Sequence, residues 1–519
     1  MHATPAPTEI APPQASRREW VALGVIALPC LVYAMDLTVL NLALPAISAD
    51  LRPSASELLW IVDIYGFMVA GLLITMGTLG DRMGRRLLLL IGAAAFAAAS
   101  AAAALSTTAQ GLIATRALLG MAGATLAPST LSLISNMFRN ERERRIAIGI
   151  WISSYSVGGA IGPLVGGAIL HYFAWPAIFW AAVPVMLLLL AVGPFLLPEY
   201  RDPMAGRLDL RSVALSLTAV LSGVFALKRL AEGHVDGFAA GAAVLGIAAG
   251  VAFVRRQRRI DYPLLDIGLF AQPRFAAAIC TYALTSFAMF GVYIFISQHL
   301  QLVLGLSPLM AGLCTVPWAL SFVVGSLFTP ALAQRLSAPH TMVAGLSLAA
   351  VGFAGMTLVD GPQGLAWLVG GMLLMGLGMA PVFTLGNDIV ISSAPPERAG
   401  AASALSETSA ELSGALGIAV FGSLATGLYR AGMAGQLPPG LSAEATAEAS
   451  TLGGALTLAD SLASPQAEAL RSAARTAFVD GLQAAAVVGT AIMVGSALLA
   501  WRMLRSSDLK AAAPDNTKP

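Results

Sequence analysis

The sequence predicts an all-α membrane protein with fourteen transmembrane helices in a six, two, six order, and three observations predict it. First, the 519 residues are 57% hydrophobic and only 11% charged, against about 45–50% and about 25% in soluble domains. Second, apolar runs of the roughly 20 residues needed to cross about 30 Å of hydrocarbon recur along the whole chain. They lie near 20–44, 57–79, 87–106, 110–134, 146–170, 175–197, 210–229, 237–254, 275–298, 308–332, 341–360, 365–390, 403–428 and 477–501. Third, the thirty Arg and Lys residues divide unevenly between the two sides these spans define. Twenty-three lie on one side, six (Arg52, Lys228, Arg229, Arg430, Arg471 and Arg475) on the other, and Arg116 inside a span. This positive-inside bias places the crowded side and both termini in the cytoplasm.

Taken in order, residues 1–18 read as a disordered cytoplasmic N-terminus, too rich in Pro and polar residues for a cleaved signal peptide, so the first apolar run is a retained anchor. Residues 19–200 hold six spans, 201–260 two extra linking spans, 261–505 six more, and 506–519 a cytoplasmic tail. The loop LAQRLS (Leu332 to Ser337) is a faded echo of GTLGDRMGRR (Gly77 to Arg86) at the matching place in the first half, as repeat-built transporters show. The one long outer loop, 430–475, breaks at Pro438-Pro439-Gly440 and then opens a helix at Ser464-Pro465 that runs on into the last span. It reads as a helical hairpin capping the second half.

The formal charge of +2 does not point to nucleic acid, because in a membrane protein the placement of charge matters. Cys30, Cys280 and Cys314 lie in apolar runs with neither C-x-x-C spacing nor a His cluster, so they read as small core residues, and no metal or cofactor is expected. His2, His171, His234, His299 and His340 fall in tails or near span ends and read as interfacial.

Ionisable groups inside spans are the strongest signals, since each costs at least about 2.5–3.5 kcal/mol at a helix centre. Asp36, Asp63 and Arg116 lie at depths of roughly 9–12 Å from the outer face and could share one layer. An acid and an Arg there make a proton site, although Asp63 and Arg116 could equally be a plain ion pair joining helices. Glu407 and Glu411 are spaced i,i+4 on one helix face, and two carboxylates so close cannot both ionise cheaply, so one holds a proton or a cation. Asp388, near the inner end of the twelfth span, is either a third acid of this kind or interfacial.

The fifth span carries SVGGAIGPLVGG, whose glycines let helices approach and whose Pro163 permits a bend. Aromatic and Met residues of the ninth and tenth spans, Tyr282, Phe287, Met289, Phe290, Tyr293, Phe295 and Trp318, suit a cavity for large flat cations or a lipid-facing surface.

These motifs carry a resemblance. GTLGDRMGRR, with Gly77, Asp81, Arg82, Gly84 and Arg85, resembles the signature loop of the major facilitator superfamily. TRALLGMAGA around Arg116 is similar to its fourth-helix motif. GGAIGPLVGG (Gly158, Gly159, Gly162, Pro163, Gly166, Gly167) resembles the fifth-helix antiporter motif, and MDLTVLNLALPAI (Met35 to Ile47) the first-helix motif of fourteen-helix drug:proton antiporters. WIVDIYGF and ETSAELSGALGIAVFGS look closest to exporters of quaternary ammonium compounds and methyl viologen. The resemblance implies two six-helix bundles plus two helices, and acids on the first, second and thirteenth helices (Asp36, Asp63, Glu407, Glu411) that handle protons and cationic substrate. It also implies a lock at Asp81 and Arg82 in the outward-open state. The tenth-helix acid of some members has no counterpart in TVPWALSFVVGSLF, which puts divalent-cation selectivity in doubt.

The expectation is a monomeric proton-coupled antiporter of the bacterial plasma membrane that exports bulky organic cations by alternating access. Export of an endogenous metabolite or antibiotic is the alternative; a membrane sensor or enzyme is disfavoured, since no H-x-x-x-H, G-x-S-x-G or P-loop pattern is present.

Overall fold

Inside lipid an apolar span must satisfy its own backbone, which a helix does. The computed structural model describes residues 14–201, 209–231, 236–260, 263, 267–392, 399–437, 446 and 448–511; some helical side chains, that of Asp81 among them, fall outside this description. The two tails and the Pro438-Pro439-Gly440 break therefore lie outside the described residues, except 14–18 and 506–511. Among the described residues there are helices and no strand.

The first three spans are α1 (Arg17–Leu51), α2 (Ala55–Met83) and α3 (Arg85–Ala104). The fourth is divided into α4 (Ala109–Gly123) and α5 (Leu126–Met137); the fifth is α6 (Glu141–Tyr172); the sixth joins α7 (Ala177–Trp180) to α8 (Ala182–Leu196). Next come α9 (Leu210–Ala231), α10 (Gly237–Gln257) and α11 (Pro273–Gln298), the last prolonged by a π-helical turn at His299–Val303. The rest are α12 (Pro308–Leu336), α13 (Ala338–Gly355), α14 (Gly364–Ser392), α15 (Ala399–Met433), the short α16 (Leu452–Asp460) of the outer loop, and α17 (Ser464–Ala511). All fourteen sequence spans fall on helices. Twelve of these helices are long and apolar enough to cross a membrane, or thirteen with the bent α6 counted as one span. The difference lies in α9, whose described apolar stretch covers Leu210–Ala226.

Local chemistry sets the ends and bends. Ser16 and Ser54 open α1 and α2 in capping boxes with Glu19 and Glu57. α6 bends by 42° between Gly159 and Ile161, where Pro163 withholds the N–H that the Gly159 carbonyl would accept. A single residue of positive φ reverses the chain between α2 and α3 (Gly84, φ 118°) and again between α12 and α13 (Ser337, φ 69°). The echo between the two loops thus has a structural counterpart.

The first half packs α1 on α6, α2 on α4 and α3 on α8, and the second packs α12 and α13 on α14 and α11 on α15 and α17. The halves meet along α6–α12 and α2–α15, with α1 and α11 touching between them. α9 lies against both α2 and α15, and α10 against α9, so this pair covers one of the two seams. Arg–Asp pairs clamp the pair at both ends: Arg256 donates to both oxygens of Asp209 at 2.8 Å, and Arg229 to Asp236 at 2.5 Å. Hydrogen bonds from Arg256 push the Asp209 carboxyl down to about 2.

α17 is one helix of 48 residues, roughly 72 Å long, that rises from the outer loop and continues through the last span. Arg471 on it donates to Asp460 of α16 at 2.6 Å, and Arg52 pairs with Glu448 at 3.5 Å, which ties the outer loop to the first half.

Candidate substrate and proton site

Five ionisable side chains on α1, α2, α4 and α15 form the centre. Arg116 is only 1% exposed. Its Nη1 donates to Asp36 Oδ2 at 2.5 Å, its Nε donates to the Ile61 carbonyl at 3.2 Å, and the guanidinium sits 4.5 Å from the centre of the Tyr65 ring. The sequence shows Asp36 no cationic neighbour; the fold supplies one from 80 residues away. Gly120 explains the approach, since a Cβ there would lie 2.5 Å from the Tyr65 carbonyl, so a side chain would push α4 and its arginine off α2.

Asp63 is fully buried and, with Asn41, Arg116 and Glu411, lines a cavity of about 30 Å³, the scale of a water or one small cationic head. Asn41 Oδ1 is buried there with no hydrogen-bond partner. Glu411 belongs to the second half, yet it accepts a hydrogen bond from the Tyr33 hydroxyl of α1 at 3.2 Å. Glu407 lies one turn earlier, and both glutamates are partly buried. Tyr33 packs on Tyr65 and Tyr155 with ring centres 5.9 and 5.7 Å apart. Sequence reasoning missed Asn41 and these tyrosines. The available signal was polar-tipped aromatics beside acids in apolar spans, Tyr33 three residues before Asp36 and Tyr65 two after Asp63.

A second cavity, of about 190 Å³, adjoins the first through Leu37 and Phe290, which line both. Tyr155, Gly159, Met289, Trp318, Phe322 and Phe383 also wall it. An apolar cavity of about 150 Å³ suffices for benzene. Of the aromatic candidates, Met289, Phe290 and Trp318 face this space and Tyr293 the acidic one, whereas Tyr282 packs on Phe383, Phe287 on Phe421 and Phe295 on Phe478.

The antiporter-motif glycines split by face. Side chains at Gly158, Gly162 and Gly166 would collide with Leu31, Thr38 and Val39 of α1, and one at Gly167 with Pro308 at the start of α12. Gly159 has open space around it, and Pro163 touches Gly312 of α12 through its carbonyl. In the signature loop, Arg85 Nη1 donates to the Pro128 carbonyl at 3.1 Å, while Arg86 reaches the Leu197 carbonyl at 3.1 Å and Glu199 at 3.6 Å. These bonds lie within the first half. Gly77 is in ordinary contact distance of Pro128, Gly84 makes the reversal, Arg82 is exposed, and the Asp81 side chain lies outside the described residues.

Two readings change, and a third, left open between two alternatives, narrows to the interfacial one. Asp388 is exposed and lines neither central cavity, since it stands only four residues from the end of α14. His299, read as interfacial, is 1% exposed with neither ring nitrogen hydrogen-bonded, because the π turn carries it inward. Cys280 is exposed and Cys314 half-buried, and only Cys30 is a core residue.

Known proteins fit this geometry. The Major Facilitator Superfamily profile matches residues 26–418. The chain is 45% identical to the multidrug efflux pump LfrA of Mycolicibacterium smegmatis, over 92% of this chain and 95% of that protein. It is 35% identical to the methyl viologen resistance protein SmvA of Salmonella typhimurium (89% and 93% covered), and 31% identical to the tetracenomycin C resistance and export protein of Streptomyces glaucescens (78% and 76%). Among solved structures, a bacterial homologue of the human lysosomal transporter Spinster, inward-facing and unoccupied, superposes with a TM-score of 0.65 at 16% identity, covering 95% of this chain and 98% of that one. With its helical halves, its motifs in place and relatives that are drug and antibiotic efflux proteins, the chain belongs to the major facilitator superfamily and is a membrane transporter of small molecules, not an enzyme.

Proposed function

We propose that the protein is a proton-coupled antiporter that exports bulky organic cations with flat aromatic bodies by alternating access. The observation that carries this reading is the Tyr33–Glu411 hydrogen bond. It joins the paired carboxylates of the second half to α1, the helix that carries Asp36 of the ion pair with Arg116, so a proton or cation at Glu411 acts directly on the contact between halves. A cationic head fits the acidic cavity and an aromatic body the apolar one, with Phe290 at their border. The driving force suffices in principle, each pH unit supplying about 1.36 kcal/mol per proton and each 100 mV about 2.3 kcal/mol per charge. The arginine-rich face is cytoplasmic by the positive-inside rule, and the protein works as a monomer in the bacterial plasma membrane. Asp81 and Arg82 act at the cytoplasmic gate.

A second reading, export of an aromatic antibiotic, is favoured by the largely apolar, aromatic-walled second cavity and by relatives named for tetracenomycin C and puromycin resistance. One assay separates them: everted vesicles loaded with a pH gradient, followed by ethidium uptake. Uptake that a protonophore abolishes, and that Glu407→Gln/Glu411→Gln removes, supports cation–proton antiport. Uptake indifferent to the gradient refutes it.

A further inference from the structure

Pro45 lies inside α1. Having no N–H, it leaves the carbonyl of Asn41, four residues earlier, without its helical donor, and an unmet buried carbonyl is costly. The missing donor comes from the other half: Ser297 Oγ of α11 donates to Asn41 O at 2.7 Å, and the next carbonyl, that of Leu42, accepts from Gln301 Nε2 at 3.0 Å. Gln301 Nε2 also lies 3.1 Å from Ser297 Oγ.

Two features mark these bonds as more than packing. Thr281 and Thr285 of α11 bond carbonyls of their own helix four residues back, the usual habit of buried helical hydroxyls, whereas Ser297, 3% exposed, crosses to α1. Gln301 belongs to the π-helical turn, a local irregularity that often marks functional sites. The outer loop roofs the contact, with Gly453 of α16 against Ser48 and Arg475 of α17 donating to the Leu302 carbonyl at 3.2 Å.

We propose that the Pro45-freed carbonyl of Asn41, together with Ser297 and Gln301, is a reversible latch that holds the face opposite the arginine-rich one closed and releases when that face opens. The proposal rests on the alternating-access reading. It adds a physical condition to that reading: α1 offers the Asn41 carbonyl no donor at the regular i+4 position, so loss of the Ser297 bond is best compensated when opening admits water to it. A small gape that leaves the contact dry gains no replacement partner, and this favours two discrete positions over a continuum.

The test is the distance distribution between spin labels at Ala49→Cys and Leu304→Cys, in full-length protein in lipid nanodiscs with Cys30, Cys280 and Cys314 changed to Ala. In Ser297→Ala the long-distance population should rise about 2- to 10-fold, the range expected for one net hydrogen bond, while Ser297→Thr, which keeps the hydroxyl, stays at the parent level. Pro45→Ala restores an internal donor, so it should raise the open population by itself and make Ser297→Ala nearly silent when combined. A parent-like distribution in monodisperse Ser297→Ala, or additive effects in the double variant, overturns the latch alone. A single unchanging distance in the parent between pH 5.5 and 8.5, with or without ethidium, overturns alternating access and the latch with it.

Discussion

Asp36→Asn is the natural test of a proton site, and the structure predicts that it does more than remove a proton. Arg116 is 1% exposed and cannot reach water by extending its side chain, and the Asp36 side chain is 14% exposed. Removing one partner of a buried pair costs about 3–5 kcal/mol, because the other charge is left uncompensated. The Ile61 carbonyl and the Tyr65 ring remain with the guanidinium; the ring contact is worth about 0.5–2 kcal/mol, which places the expected loss near the lower end, about 3 kcal/mol. The assay is SDS-titrated unfolding in mixed micelles, with everted-vesicle transport measured on the same preparations. Asp36→Asn/Arg116→Gln should recover part of the loss, because it removes the stranded charge, yet remain transport-dead. An Asp36→Asn variant within about 1 kcal/mol of the parent, or a double variant no more stable than the single, would refute the assignment of this pair as a buried, mutually dependent unit.

Four further outcomes follow from other sites. Tyr33→Phe loses one hydrogen bond to Glu411, so transport should fall by about 2- to 10-fold, while Glu411→Gln should abolish coupling; equal effects in ethidium uptake would contradict the proposed order of importance. Phe290→Ala opens the wall between the two cavities and should weaken binding of aryl monocations more than that of tetramethylammonium, measured by competition for ethidium uptake. Ser337→Gly relieves a side chain held at φ 69° and ψ 157°, and should stabilise the protein by about 1 kcal/mol in the same SDS titration. Asp209 has a folded-state value of about 2 against an ordinary 3.8, so its contribution is present above 3.8 and is lost as pH falls from 3.8 through about 2. The melting difference between parent and Asp209→Asn, modest for a partly buried pair at a helix end, should therefore vanish over that interval and stay constant above it.

Much of the architecture was legible because it is written in local patterns. Spans announce themselves by length, and the pairing of Glu407 with Glu411 by helical spacing. Four of the five antiporter glycines also read correctly as close-approach positions, Gly159 being the exception, although only the fold shows that Gly158, Gly162 and Gly166 serve α1 while Gly167 serves α12. What stayed hidden depends on contacts between distant segments. The partner of Asp36 comes from α4 and that of Glu411 from α1, and no spacing rule connects them. His299 misled for the opposite reason: its place near a span end suggested water, but the π turn rotates the ring into protein. Asp388 was ambiguous because depth along a helix says nothing about which way the side chain faces.

The α9–α10 pair has a consequence for how such a chain is assembled. It is a pair of packed helices clipped together by Asp209–Arg256 at one end and Arg229–Asp236 at the other, and it reaches the remainder of the protein mainly through α9. A chain that enters such a pair at one end of α9 leaves it at the same end by way of α10, so the pair returns the chain to the face from which it started. A closed, self-fastened loop of this kind can join two bundles without either having to change its inward or outward sense.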